Sequence, residues 1–219
     1  MLSQVSHSSD NLLKAMGTLD EVLPNELATK FREKLHSTVP RFVADVMATL
    51  QSTCHLDVST LPADHVCWRT ATESEYFGLV SALVADREHF TLLVESEIGG
   101  RPIATFQLSN PIACTHHVID VVEIPSPKEG SPYQPGLEHV EFVIGDGTIT
   151  SPWNNDVHQQ TLESFRKKYP GVDWNTKALH KPVNPELSVK LTTSNGEVFS
   201  AKFHCLPLAD VIAAEKGVS

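Results

Sequence analysis

The chain has 219 residues, 41% of them hydrophobic and 20% charged, which is enough apolar material for a buried core. Its 17 Lys and Arg against 27 Asp and Glu give a formal net charge of -10. That balance argues against binders of nucleic acid and of anionic membrane surfaces, which both depend on clustered cations. No apolar run approaches the roughly 20 residues of a spanning helix. The N-terminus lacks the basic start and apolar stretch of a secretory leader. The four cysteines (Cys54, Cys67, Cys114, Cys205) show no CxxC and read as reduced thiols, so a cytoplasmic protein is expected. The 11 histidines stand out, and where they fall is the informative question.

In chain order, residues 1 to about 58 have helical spacing. Leu12, Leu13, Met16 and Leu19 share one face. A second run holds Leu27, Phe31, Leu35, Val39, Phe42, Val43, Val46, Met47 and Leu50. Pro40 is expected to break it into two helices. Strand signals then appear at 65–69, a helix at 73–87 and strands at 89–98, 101–109 and 116–124, with Gly99-Gly100 as a hairpin turn. The order repeats: a strand at 137–145, a helix at 158–169, a weak region with a short strand, a hairpin of 187–193 and 197–205 about Ser194-Asn195-Gly196, and a helix at 208–216. Two strand–helix–strand–strand–strand units therefore lie end to end, about 64–124 and 137–206, each opening on His-Val: His65-Val66 and His139-Val140. The domain division expected is a helical extension over 1–58 and a paired βαβββ domain over 59–219.

Side chains alternate along a strand, so parity sorts them by face. Val66 and Trp68 oppose His65, Cys67 and Arg69; Val140, Phe142 and Ile144 oppose His139, Glu141 and Val143; Phe199, Ala201 and Phe203 oppose Ser200, Lys202 and His204. On the fourth strand Val118, Val122 and Ile124 oppose His117, Ile119, Val121 and Glu123. Each polar face carries one metal-capable residue: His65, Glu123, His139 and His204. Imidazoles with a carboxylate suit a divalent ion such as zinc, iron, nickel, cobalt or manganese. Arg69 and Glu141 share that face, as an anchor for an anionic substrate and a base, or as an ion pair with each other across the central strands. Lys202 either contacts an anion or reaches solvent, and Cys67 reads as a small buried residue. His117 is about 20 Å of extended strand from Glu123, too far to join it.

The segments DHVCWRT (64–70), GRPIATFQL (100–108), VVEIPSP (121–127), LEHVEFVI (137–144) and KFH (202–204), in that order, resemble the YecM family, within the vicinal oxygen chelate superfamily. The resemblance covers roughly 60–217. It implies an α+β fold in which two βαβββ modules form an eight-stranded cupped mixed sheet, with an N-terminal helical extension. It also implies a metal site at His65, Glu123, His139 and His204. The superfamily's enzymes more often carry a glutamate on the last strand, so His204 there argues against glyoxalase I chemistry. The expected function is a metal-dependent protein acting on a small oxygen-bearing molecule, with isomerase, lyase and dioxygenase chemistry all open. The alternatives are a non-catalytic small-molecule binding module on the same fold and an interaction protein whose N-terminal helices pair with another chain.

Overall fold

The computed structural model describes residues 24–217 apart from 129, 131–133, 146, 148, 150, 194 and 195. The helix expected around Leu12, Leu13, Met16 and Leu19 lies outside the described residues, as do Ser194 and Asn195 of the last hairpin turn. The first described element corrects the sequence reading. A single helix, α1 (Pro24–Cys54), runs straight through Pro40. Phe31, Leu35, Val39, Val43, Val46 and Leu50 form one unbroken buried stripe on both sides of the proline. An interior proline costs about 3 kcal/mol. Each buried aliphatic or aromatic side chain contributes about 1.5–3 kcal/mol, so the stripe outweighs the lost backbone bond.

Beyond α1 come β1 (Ala63–Arg69), α2 (Glu73–Ala85), β2 (Phe90–Glu97), β3 (Pro102–Ala113) and β4 (Val118–Pro125). Thr72 caps α2: its hydroxyl accepts from the Glu75 amide at 3.0 Å, while the Glu75 carboxylate accepts at 2.7 Å from the amide of Ala71, one residue ahead of the cap. Gly99 and Gly100 take φ of +62° and +79° in the β2–β3 hairpin, which needs residues tolerant of positive φ. The second module repeats the order with β5 (Gly136–Val143), α3 (Asn155–Lys168), β6 (Trp174–Asn175), β7 (Glu186–Thr192) and β8 (Val198–His204). Helix α4 (Leu208–Gly217) closes the described chain.

The strands make one eight-stranded mixed sheet in the order β2-β3-β4-β1-β5-β8-β7-β6. Each module supplies four neighbouring strands, and β1 meets β5 antiparallel at the centre. Within the modules β1 pairs parallel with β4, and β5 parallel with β8. This is the α+β arrangement of paired βαβββ modules with an N-terminal helix that the resemblance implies. Of the residues sorted as apolar by parity, Val66, Val122, Val140, Phe142, Ala201 and Phe203 are fully buried in a core shared with the stripe of α1, whereas Val118 at the start of β4 is exposed and its neighbour Ile119 is buried instead. Among the described residues no helix is long and apolar enough to cross a membrane.

Gly145, just past β5, is required by a close approach: a Cβ there would stand 2.3 Å from the Cys205 carbonyl oxygen, a backbone atom that cannot swing away. Gly145→Ala is expected to destabilise the protein by about 1–3 kcal/mol, read as a lowered urea midpoint with an unchanged slope. An unchanged midpoint would show that β5 and β8 separate there without cost.

Candidate metal centre

The polar face of the central strands gathers the histidines. The β1–β5 register pairs His65 with Glu141, Val66 with Val140 and Cys67 with His139. One residue on each strand has no partner in that ladder. Asp64 is skipped between Ala63↔Phe142 and His65↔Glu141, and Glu138 is skipped between Cys67↔His139 and Trp68↔Leu137. Each is a β-bulge, which re-aims a side chain that strict alternation would send to the opposite face. Both bulges immediately precede a site histidine, and both put a carboxylate beside it.

Those carboxylates fix the rings. His65 Nδ1 donates to Asp64 Oδ2 at 2.7 Å, and His139 Nδ1 donates to Glu138 Oε2 at 3.1 Å. His204 Nδ1 donates to the Leu206 carbonyl at 2.5 Å. A carboxylate or a carbonyl can only accept, so Nδ1 is the protonated nitrogen in each ring. All three Nε2 atoms consequently point inward, and all three are buried with no hydrogen bond among the described residues. Glu141 lies between them. Its Oε1 is 3.1 Å from His139 Nε2 and 3.4 Å from His65 Nε2; its Oε2 is 3.5 Å from His204 Nε2. Glu123 Oε2 is 3.8 Å from His139 Nε2, and Asp64 Oδ2 is 3.3 Å from His204 Nε2.

Three overlapping groups of potential ligand atoms result: His65, His139 and Glu141; Asp64, His65 and His204; and Cys67, Glu123 and His139. The four residues singled out in the sequence share one face and one neighbourhood, but they do not form one of these sets by themselves. The most central set is two imidazoles and the Glu141 carboxylate. Ligand atoms around a four-coordinate ion with bonds of about 2.1 Å stand about 3.4 Å apart. The observed 3.1 and 3.4 Å separations match that spacing. The donor set therefore fits a divalent ion of the borderline kind.

Arg69 departs from the expected pairing. It binds Glu138, not Glu141, and so stands behind the carboxylate that orients His139. Glu141 instead receives Lys202 Nζ at 2.7 Å on Oε1. His117 is buried against Phe142, with ring centroids 5.7 Å apart, and is not part of the site. Cys67 is buried and Cys205 is buried, as expected of unpaired thiols; burial pushes the Cys205 thiol up to about 12.

The electrostatics are those of a cage that demands positive charge. Burial opposes ionisation of His65, but the Glu141 and Asp64 carboxylates outweigh it and raise its pKa to about 10. His204 is raised in the same way, against burial, by Asp64 and then Glu141. His139 is held well above its ordinary value despite burial and Lys202, through its contacts with Cys67 and Glu138. Burial would raise the carboxylates, yet Lys202 and His65 hold Glu141 well below the usual range, and His139 and Arg69 bring Glu138 to about 2. At each Nε2 the surroundings call for a cation, either a proton or a metal ion.

The site is graded in exposure. Asp64, His65, His204 and Glu141 are sealed, whereas the side chains of Glu123, Lys202, Arg69 and Glu138 are 17%, 21%, 18% and 28% exposed. A small molecule reaching the cluster would thus meet Glu123, Lys202, Arg69 and Glu138 before the sealed imidazoles. Asp64 and Glu138 went unnoticed in the sequence reading, although a signal was there: an acidic residue directly precedes the histidine in both Asp64-His65-Val66 and Glu138-His139-Val140.

Comparison with known proteins agrees with this architecture. The YecM protein family matches residues 32–215. Protein YecM of Escherichia coli (strain K12) is 28% identical over 195 residues, covering 84% of this chain and 94% of the relative. A solved structure described as Protein EC4020 is similar with a TM-score of 0.62 and 26% identity, covering 84% of this chain and 92% of that one. A methylmalonyl-CoA epimerase structure is similar more loosely, at 16% identity and a TM-score of 0.41, covering 67% of this chain and 95% of that one. With the family match spanning most of its length, from within α1 to within α4, the chain belongs to the YecM family.

Proposed function

We propose that the protein binds one divalent metal ion through His65 Nε2, His139 Nε2 and the Glu141 carboxylate, with Glu123 and His204 beside them, and uses that site on a small oxygen-bearing molecule. The observation that supports this reading is the set of three buried, inward-facing Nε2 atoms without hydrogen bonds among the described residues, each with its Nδ1 committed to an acceptor. Fixing Nδ1 in this way orients an imidazole to coordinate through Nε2. A bound divalent ion supplies Lewis-acid polarisation of a substrate oxygen.

The chain's own residues have separable tasks. Asp64 and Glu138 hold two of the rings, and Arg69 holds Glu138. Arg69 is thus a positioning residue rather than a substrate anchor. Glu123, at the open side and 3.8 Å from His139 Nε2, is the carboxylate placed to take a proton from, or return it to, a substrate atom. Isomerase, lyase and dioxygenase chemistry all fit these parts, and a binding module without turnover would use the same residues.

Metal content tests the reading. Protein dialysed to equilibrium against buffer containing zinc, cobalt or manganese is expected to take up one ion per chain. Uptake of none at any metal concentration would refute it. The affinity should also depend on pH. His65 is raised to about 10 and His139 well above its ordinary value, so in the metal-free protein these two imidazoles carry protons at neutral pH. The metal needs the Nε2 lone pairs, so its affinity should climb as pH rises from about 6.5 towards about 10, with protons released. Calorimetry in buffers of different ionisation enthalpy counts those protons; metal binding with no proton release would contradict the assignment.

A further inference from the structure

The internal repeat assigns a role to Lys202 that strand parity alone does not. The repeat carries His65 onto His139, and with the same spacing it carries Cys67 onto Glu141. On β4 the residue beside Cys67 is Glu123. On β8 the residue beside Glu141 is Lys202. Lys202 is therefore the structural counterpart of Glu123, while His204 stands two pairs further along, opposite Val143. Where the first module offers the site a carboxylate, the second offers an ammonium, which has no lone pair with which to coordinate.

The ammonium also takes a specific atom. Lys202 Nζ lies 2.7 Å from Glu141 Oε1. That same oxygen is the one nearest His139 Nε2, at 3.1 Å, and His65 Nε2, at 3.4 Å. A metal ion seated on the two imidazoles and this oxygen would bring a second positive charge against Lys202 inside a nearly sealed pocket. A second carboxylate is within reach: Glu186 Oε1 is 3.8 Å from Lys202 Nζ on the more open side, while its Oε2 takes Lys181 at 2.9 Å.

We propose that Lys202 is the site's built-in competitor for metal: it holds the Glu141 oxygen the ion requires and yields it by turning to Glu186. The inference rests on the metal reading given above and deepens it. It makes the site a deliberately weakened one, loaded only where the free metal concentration is high enough to displace a resident cation, and it makes position 202 the determinant of metal affinity.

The test is calorimetric titration of the full chain with cobalt(II) alone. Lys202→Met is expected to bind the ion about tenfold or more tightly than the wild type, because the competitor is gone and Glu141 still lacks its charge partner. Lys202→Arg keeps the charge and should bind no more tightly than the wild type. Glu186→Gln removes the carboxylate that receives the displaced ammonium, and should weaken binding several-fold. Its effect stands even if Lys202→Met fails to fold. Equal or weaker binding by a folded Lys202→Met variant, tighter binding by Lys202→Arg, or unchanged binding by Glu186→Gln would each overturn the inference. If wild type and Lys202→Met both take up no ion, it is the metal reading that fails. If both bind with equal affinity, the metal reading stands and the role of Lys202 falls.

Discussion

Replacing His139 with alanine is expected to abolish stoichiometric metal binding, weakening it by more than ~100-fold, since it removes a ligand and not merely its support. The ring is the meeting point of the cluster. Its Nε2 approaches both Glu141 and Glu123, at 3.1 and 3.8 Å, and its Nδ1 is tied to Glu138 at 3.1 Å. Removing the tie alone should do less. Glu138→Gln leaves the imidazole in place but loosens its orientation, for an expected loss of about 10–100-fold. His180→Ala, at an exposed position outside every group of potential ligands, serves as the control and should retain full binding. Equilibrium dialysis with metal analysis reads all three. If His139→Ala held its ion as firmly as His180→Ala, the site would lie elsewhere.

The largest expected effect on stability is at Phe203→Ala. Phe203 is fully buried on the helix-facing side of β8, between the site residues Lys202 and His204 on the other side. Its ring stacks on Phe142 at 5.7 Å between centroids and meets Phe165 at 5.1 Å and Trp174 at 5.4 Å. Truncation removes the common partner of β5, α3 and β6, and the aromatic shell cannot collapse into the space. The expected cost is about 3–5 kcal/mol, measured by urea unfolding. Metal affinity should fall with it, because β8 loses the packing that holds its polar face in register. A loss below about 1 kcal/mol would mean that the aromatic cluster repacks and does not anchor β8.

The fold was largely legible in the sequence because its two modules each spell out the same order of periodicities, and because the strands alternate cleanly over most of their length. Parity along β1, β4, β5 and β8 placed His65, Glu123, His139 and Glu141 on one face, where the structure has them. It went astray where alternation stops. A bulge shifts one residue, so Asp64 and Glu138 reach the site face although counting puts them behind it. Arg69 was matched to Glu141 for the same reason: strict alternation leaves Glu138, the carboxylate that binds it, on the opposite face. Pro40 misled in a different way. Local propensity argues for a break, but the cost of one backbone bond is decided against a stripe of buried side chains, and that sum depends on the sheet beneath α1. The identity of the fourth position also required the strand register. In the sequence, His204 had the right parity and the right chemistry, and only pairing β8 against β5 shows that Lys202 is the counterpart of Glu123.

The most direct test of the metal assignment is anomalous diffraction at the absorption edge of a zinc- or cobalt-loaded crystal. The account predicts one strong peak per chain between His65 Nε2, His139 Nε2 and Glu141, with Lys202 Nζ moved off Glu141 towards Glu186. A peak elsewhere on the molecule, or an ion held by Asp64 and His204 with the His65–His139–Glu141 set left unoccupied, would contradict it.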